Sequence, residues 1–203
     1  MSAKKRFPGA AAVVLGALSF TACSGAPAVI NTDDTTSAQQ AAPAPPTTST
    51  RPSNAHLANA FHYAAQVNGT TGYYFTSPSG RWQCAILPRE RAGCQNASGS
   101  AIAVTGAPDE VAGPDGEPAT PNAILVDRAD APQFAALSSP GFGLESGEAV
   151  ELPFNRVLAA AGFRCNVQES TGISCVSEFS GHGFTFSADG YTPHYTDVPA
   201  DAP

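Results

Sequence analysis

A chain of 203 residues with 42% apolar and 13% charged side chains suffices for one core-bearing domain plus tails, and not for two ordinary domains. Its net charge of −7 argues against a nucleic-acid surface, which needs clustered cations for phosphate contacts. No apolar run reaches the roughly 18–20 residues of a membrane-spanning helix. Nineteen glycines and 18 prolines predict many turns and at least one linker.

Lys4, Lys5 and Arg6 precede an apolar run from Ala10 to Phe20, which closes on Leu18-Ser19-Phe20-Thr21-Ala22-Cys23. Charge, a short apolar run and small residues before a cut describe a secretory signal peptide over residues 1–22. The cysteine directly after small residues resembles the bacterial lipobox, with Phe20 where that box usually has leucine. The resemblance implies that Cys23 is acylated, palmitate included, and becomes the first mature residue. One acyl chain holds a protein only marginally, at about 0.8 kcal/mol per methylene, whereas two or three hold it stably. From Cys23 onward seven arginines and no lysine face 17 acids, a net charge near −10. Such a chain does not adhere electrostatically to an anionic bilayer. The expected location is therefore the extracytoplasmic face of the cell membrane, held by lipid.

Residues 23–53 are rich in Pro, Ala, Thr and Ser without a hydrophobic period, so they cannot bury enough surface to fold. They predict a disordered tether whose 30 or so residues, at roughly 3 Å each, reach about 90 Å.

The remaining span, 54–203, reads as a single domain. Ser53 or Asn54 can cap a helix in which Leu57, Phe61, Ala64 and Ala65 recur at helical spacing until Asn68-Gly69 stops it. Tyr73-Tyr74-Phe75 begins a strand, Ser77-Pro78-Ser79-Gly80 turns the chain, and Arg81 to Ile86 resumes as a strand. Residues 96–121 predict a long loop and Ala123 to Val126 a buried strand. Asp130 with Pro132 predicts a short helix through Leu137, and Glu148 to Leu152 a strand. Asn155 to Gly162 fits helical turns or a strand turn, and the last strands fall near 163–167, 173–177 and 184–186. The Pro- and Asp-rich tail after Tyr195 is expected to fray. The fold class is mainly β (α+β): a small, disulfide-stapled antiparallel domain with an N-terminal helix and short helical turns.

With Cys23 assigned to lipid, Cys84, Cys94, Cys165 and Cys175 remain, an even count that implies disulfides in an exported chain. Both successive pairs are spaced C-x9-C, the separation of a hairpin returning to face itself, which predicts Cys84–Cys94 and Cys165–Cys175. Spacing of nine rather than two argues against zinc. Phe75 to Trp82 and Phe184 to Tyr191 echo one another as strand, Gly-containing turn and aromatic, which is the common grammar of hairpins.

Phe75-Thr76-Ser77-Pro78-Ser79-Gly80-Arg81-Trp82-Gln83-Cys84-Ala85-Ile86, with Cys94, looks like the opening of a small secreted domain common in actinobacteria. Leu152 to Arg156, Gly162 to Cys165, Gly172 to Cys175 and Gly181 to Ser187 look like its closing half. With the lipobox and tether, the chain resembles a mycobacterial-type lipoprotein over about 73–195, matching poorly across 96–147. That family is of uncharacterised function, so the resemblance implies a compartment and a disulfide-bonded β-rich domain, but no reaction.

Catalytic constellations are sparse. No G-x-S-x-G elbow occurs; Gly143-Leu144-Glu145-Ser146-Gly147 has Glu where the nucleophile belongs. There is no H-E-x-x-H, P-loop or dinucleotide motif. His56 and His62, six apart, do not share a helix face. His182 and His194, with Asp189 and Asp197, are the residual candidates for a metal or a catalytic cluster, though their spacing follows no ligand pattern. Glu145, Glu148 and Glu151 read as a solvated face rather than paired glycosidase acids. Tyr73, Tyr74, Arg81 and Trp82 form a candidate contact patch, with Trp82 alternatively in the core. The leading expectation is a non-enzymatic, cofactor-free and metal-free module that recognises an envelope protein or ligand. The alternatives are an envelope hydrolase or metal-dependent enzyme using His182 or His194 with Asp189, and a carrier of a small apolar ligand needing a cavity of roughly a few hundred Å3.

Overall fold

The computed structural model describes residues 54–203. The expected signal peptide, Cys23 and the tether lie outside them. A single 3-10 turn, Ala60–Tyr63, comes first, capped by Asn59, whose side chain accepts from the Phe61 N–H. Strands β1 (Ala64–Val67), β2 (Thr70–Thr76), β3 (Trp82–Leu87) and β4 (Arg91–Asn96) follow as an antiparallel meander. A small hairpin of β5 (Val111–Ala112) and β6 (Pro118–Ala119) interrupts the long connection, which Ile102 and Val104 pin to the core. Strands β7 (Ala123–Asp127) and β8 (Gln133–Ala135) extend the sheet beyond β4, and β9 (Val150–Glu151) pairs in parallel with β2. The second sheet is a meander of β10 (Arg156–Ala160), β11 (Phe163–Gln168), β12 (Gly172–Ser177), β13 (Gly183–Ser187) and β14 (Gly190–Thr192).

The two sheets pack face to face, with β12 lying over β4 and β7. Side chains alternate across a strand. Trp82, Cys84 and Ile86 of β3 therefore face inward with Phe163, Cys165 and Val167 of β11, and with Phe184 and Phe186 of β13. Both expected disulfides are present, Cys84–Cys94 and Cys165–Cys175. Each joins directly opposed residues of neighbouring strands, and all four sulfur-bearing residues are fully buried in the core. Their Cα separations of 4.0 and 4.1 Å belong to the closely spaced, non-hydrogen-bonded pair of an antiparallel ladder. Adding 81 to each number carries 82–87 onto 163–168 and 91–96 onto 172–177, with the same register. The internal echo thus lies in the cystine hairpins themselves, and Trp82 of one meets Phe186 beside the other, edge to face at 4.9 Å.

Three expectations are corrected. No α-helix forms at the start of the domain: one 3-10 turn passes straight into β1, and Asn68-Gly69 is a hairpin turn with both φ positive (51° and 75°) rather than a helix stop. Two positive φ angles are what a type I′ turn demands, and Asn-Gly supplies them cheaply. The helical stripe had nothing to pack on, and Phe61 remains 82% exposed. At 130–137 the short helix is replaced by β8, and at 155–162 the strand alternative holds, with Ala161-Gly162 as another two-residue turn of positive φ. Of the tail after Tyr195, residues 196–198 are held, with the Thr196 carbonyl bonded by Asn166 and Gln168 and Val198 buried, whereas 199–203 lie at the surface.

That C-terminal segment roofs the outward face of the second sheet. Asn166 and Gln168, both buried on β11, need partners there, because an unpaired buried amide costs about 1–3 kcal/mol. Asn166 Nδ2 donates to the Tyr195 hydroxyl and the Thr196 carbonyl, each at 2.9 Å, while Gln168 Nε2 donates to Asn166 Oδ1 and to Thr196. Thr185 Oγ1 donates to the His194 carbonyl at 2.7 Å. Arg164, on the same face, donates to Glu178 at 2.8 Å and to Asn54 at 3.0 Å. Burial pushes the Tyr195 hydroxyl pKa well above its ordinary 10.0; the neighbouring Asp197 carboxylate adds to the rise, and the Asn166 hydrogen bond opposes it.

Two outcomes are expected. Replacing either cystine by an alanine pair removes an 11-residue loop constraint and should lower unfolding free energy by about 3 kcal/mol, read from urea titrations of the full chain. The raised Tyr195 pKa keeps its proton in the folded state while the unfolded chain ionises near 10. Its contribution is therefore complete below pH 10 and is lost as pH rises beyond it. Tyr195→Phe should cost about 1 kcal/mol at pH 8 yet flatten the alkaline loss between pH 10 and 11. Parallel declines in wild type and variant would refute this.

Candidate functional site

The sequence candidates do not assemble. Tyr73 and Tyr74 are neighbours on β2 and so face opposite sides of the sheet: Tyr73 leans on the inter-sheet core, and Tyr74 is buried in the outer cluster with Leu125 and Phe142. Trp82 is 7% exposed and belongs to the core, which leaves Arg81 alone at the surface, its guanidinium 5.1 Å from the indole centroid. The four residues therefore make no shared contact patch. His182 and His194 are both exposed, and Asp189 is exposed with its N–H bound by Ser187 Oγ. Asp197 Oδ1 is occupied by the Tyr195 hydroxyl and the Val198 N–H. Among the described residues no group of three or more His, Cys, Asp or Glu side chains is placed to hold a metal. His56 is buried, and its carbonyl accepts the Val157 N–H at the β10 edge. Glu145, Glu148 and Glu151 are exposed, as a solvated face requires.

The ends of the sandwich differ. At one end an apolar recess of about 150 Å3 is walled by Trp82, Phe154, Ile173 and Phe186, with Ser77 and Ser79 at its lip. That volume holds one small ring, less than a lipid carrier needs. At the other end, where β3, β7 and β12 run out, a cleft of about 310 Å3 opens between the sheets. It is lined by Arg89, Arg128, Phe163, Glu178 and Phe179 together with the Ala161-Gly162 turn.

The placement of each side chain here follows from strand ends. Arg89 sits in the β3–β4 turn after Pro88, with Glu90 N–H donating back to the Leu87 carbonyl and φ at +62°. Proline followed by a positive φ is the type II pattern, whose third position ordinarily holds glycine. Arg128 follows β7 and is tied on both sides: its N–H donates to the Glu90 carbonyl at 3.0 Å, and its carbonyl accepts Ser177 Oγ at 2.6 Å. Phe179, 66% exposed in the β12–β13 turn, lies with its ring centroid 4.3 Å from the Arg128 guanidinium. Arg91 and Arg164 are engaged by carboxylates, and Glu178 is the partner of Arg164. Neither Arg89 nor Arg128 has a salt-bridge partner among the described residues. The arrangement presents two guanidiniums without an ion pair, and an aromatic face, on the turns that follow β3, β7 and β12.

Sequence reasoning missed this cleft because its parts come from four turns up to 90 residues apart. One signal was readable: Pro88-Arg89 stands where a turn favours Pro-Gly. Because Trp82 packs on Phe186, Trp82→Ala should cost about 3–5 kcal/mol and lower the melting temperature sharply, which differential scanning fluorimetry would read. A stable variant would return Trp82 to the list of surface candidates. No protein-family model matches this chain, and neither a curated protein nor a solved structure does.

Proposed function

We propose that the chain is a lipid-anchored, non-catalytic recognition module of the bacterial cell envelope, of the actinobacterial lipoprotein type. Cys23 carries the acyl chains, residues 24–53 set the distance from the bilayer, and the sandwich presents its Arg89–Arg128–Phe179 end to an envelope ligand or protein. The observation that carries this reading is that end itself: exposed cationic and aromatic groups, the residue types over-represented where proteins bind partners, are gathered there on the turns at the strand ends. The two cystines favour export, since such bonds persist in oxidising compartments and are rare in the cytosol.

Two measurements test it. Cys23→Ser should move the full chain from the detergent phase to the aqueous phase on phase partition of whole-cell extracts; retention in the detergent phase would refute the anchor. Crosslinking on intact cells should give a discrete adduct for wild type that fades in Phe179→Ala at unchanged melting temperature. An adduct indifferent to that change would refute recognition at this end of the sandwich.

A further inference from the structure

We infer that the cleft between the sheets at Arg89, Arg128 and Phe179 binds a dianionic phosphate monoester whose organic body lies against the Phe179 ring; this rests on reading the cleft as the recognition site. Charge is the first argument. The chain from Cys23 on is near −10, so an anion approaching at random is repelled. Arg89 and Arg128 nonetheless leave two positive charges without an ion pair in one cleft, while Glu178 beside them is already spent on Arg164. A phosphate monoester carries roughly −1.5 to −2 at neutral pH and matches that charge. A carboxylate would neutralise only half of it, and its two oxygens satisfy one guanidinium fork, whereas a phosphate has three terminal oxygens to share between two.

Conformation is the second argument. Arg89 holds a left-handed backbone that costs a side-chain-bearing residue about 1 kcal/mol relative to glycine. A turn shaped for stability alone has no use for arginine there, and strain of this kind gathers at binding sites. Pre-organisation is the third. The Arg128 backbone is clamped on both sides and its guanidinium is stacked on Phe179, so little rotamer freedom remains to be lost on binding. A cleft of about 310 Å3 admits a phosphate together with a small ring.

The test is calorimetric titration of the full chain with phenyl phosphate, inorganic phosphate and benzoate, at low and high salt. Phenyl phosphate should bind most tightly, inorganic phosphate more weakly for want of the ring, and benzoate weakest, with affinity falling as salt rises. Arg128→Gln, which keeps the backbone clamp, should weaken phenyl phosphate roughly tenfold to a hundredfold. Arg89→Gly is the discriminating variant: it should raise the melting temperature and weaken phosphate together, a combination that a merely structural arginine cannot produce. Benzoate binding as well as phenyl phosphate, or phosphate binding untouched by both variants, would overturn the proposal. Equal affinity for inorganic and phenyl phosphate would overturn the contribution of Phe179. If no phosphate binds while Phe179→Ala still abolishes the cellular adduct, the phosphate assignment falls and the recognition reading stands. If the adduct is also unaffected, both fall.

Discussion

Two cystines face each other's sheets across the middle of this sandwich, and the rest of the structure is arranged around them. A cross-strand disulfide fixes the register of its hairpin, because a slip of one residue would turn the sulfurs to the other face of the sheet. Once β3–β4 and β11–β12 are each locked in that way, the inward positions on either side of each cysteine are determined as well. Those positions are Trp82 and Ile86 in one hairpin, and Phe163 and Val167 in the other. A small domain with few large aliphatic residues can then rely on covalent constraint where a bigger core would rely on buried area.

The two central hairpins share register and turn length but bury different things on their outward faces. The first sheet's outer face is apolar, with Tyr74 and Leu125 packed under Phe142 of the 138–147 connection. Gln95 holds that connection in place by donating to the Pro140 carbonyl and accepting from the Phe142 N–H. The second sheet's outer face is polar, and its amides and hydroxyls are answered by residues 194–196. Every residue of β11 is therefore buried, although the strand reads as alternating apolar and polar. Closure of the sandwich edge comes from a ring contact, Phe134 against Tyr191 at 5.0 Å.

What could be read from the sequence was whatever depends on local spacing. The cysteine pairs, the Ser77–Gly80 turn and the strands around them are fixed by separations of about ten residues, so they were legible. Asn68-Gly69 was misread because the same dipeptide ends helices and turns hairpins, and the choice was made by β2, which offered β1 a ladder that an isolated amphipathic turn could not match. The stretch 130–137 went the same way, because the free edge of β7 outweighs a weak helical start. Trp82 and Tyr74 resembled surface residues only so long as the two faces of their strands were unassigned. The Arg89–Arg128–Phe179 cleft was beyond reach, since it exists only where four separate turns converge at one end of two stacked sheets.

The position of the roof over β11 bears on how the two outer faces of the sandwich are kept from water. The residues that answer Asn166 and Gln168 lie 28 to 30 positions further along the chain. Without residues 194–198, Asn166, Gln168 and Thr185 keep only their bonds within the sheet and turn their other polar atoms to water, whereas the first sheet has its own lid at 138–147. The two sheets are therefore covered independently, and a change that loosens residues 194–198 hydrates the second sheet's outer face while the first stays closed.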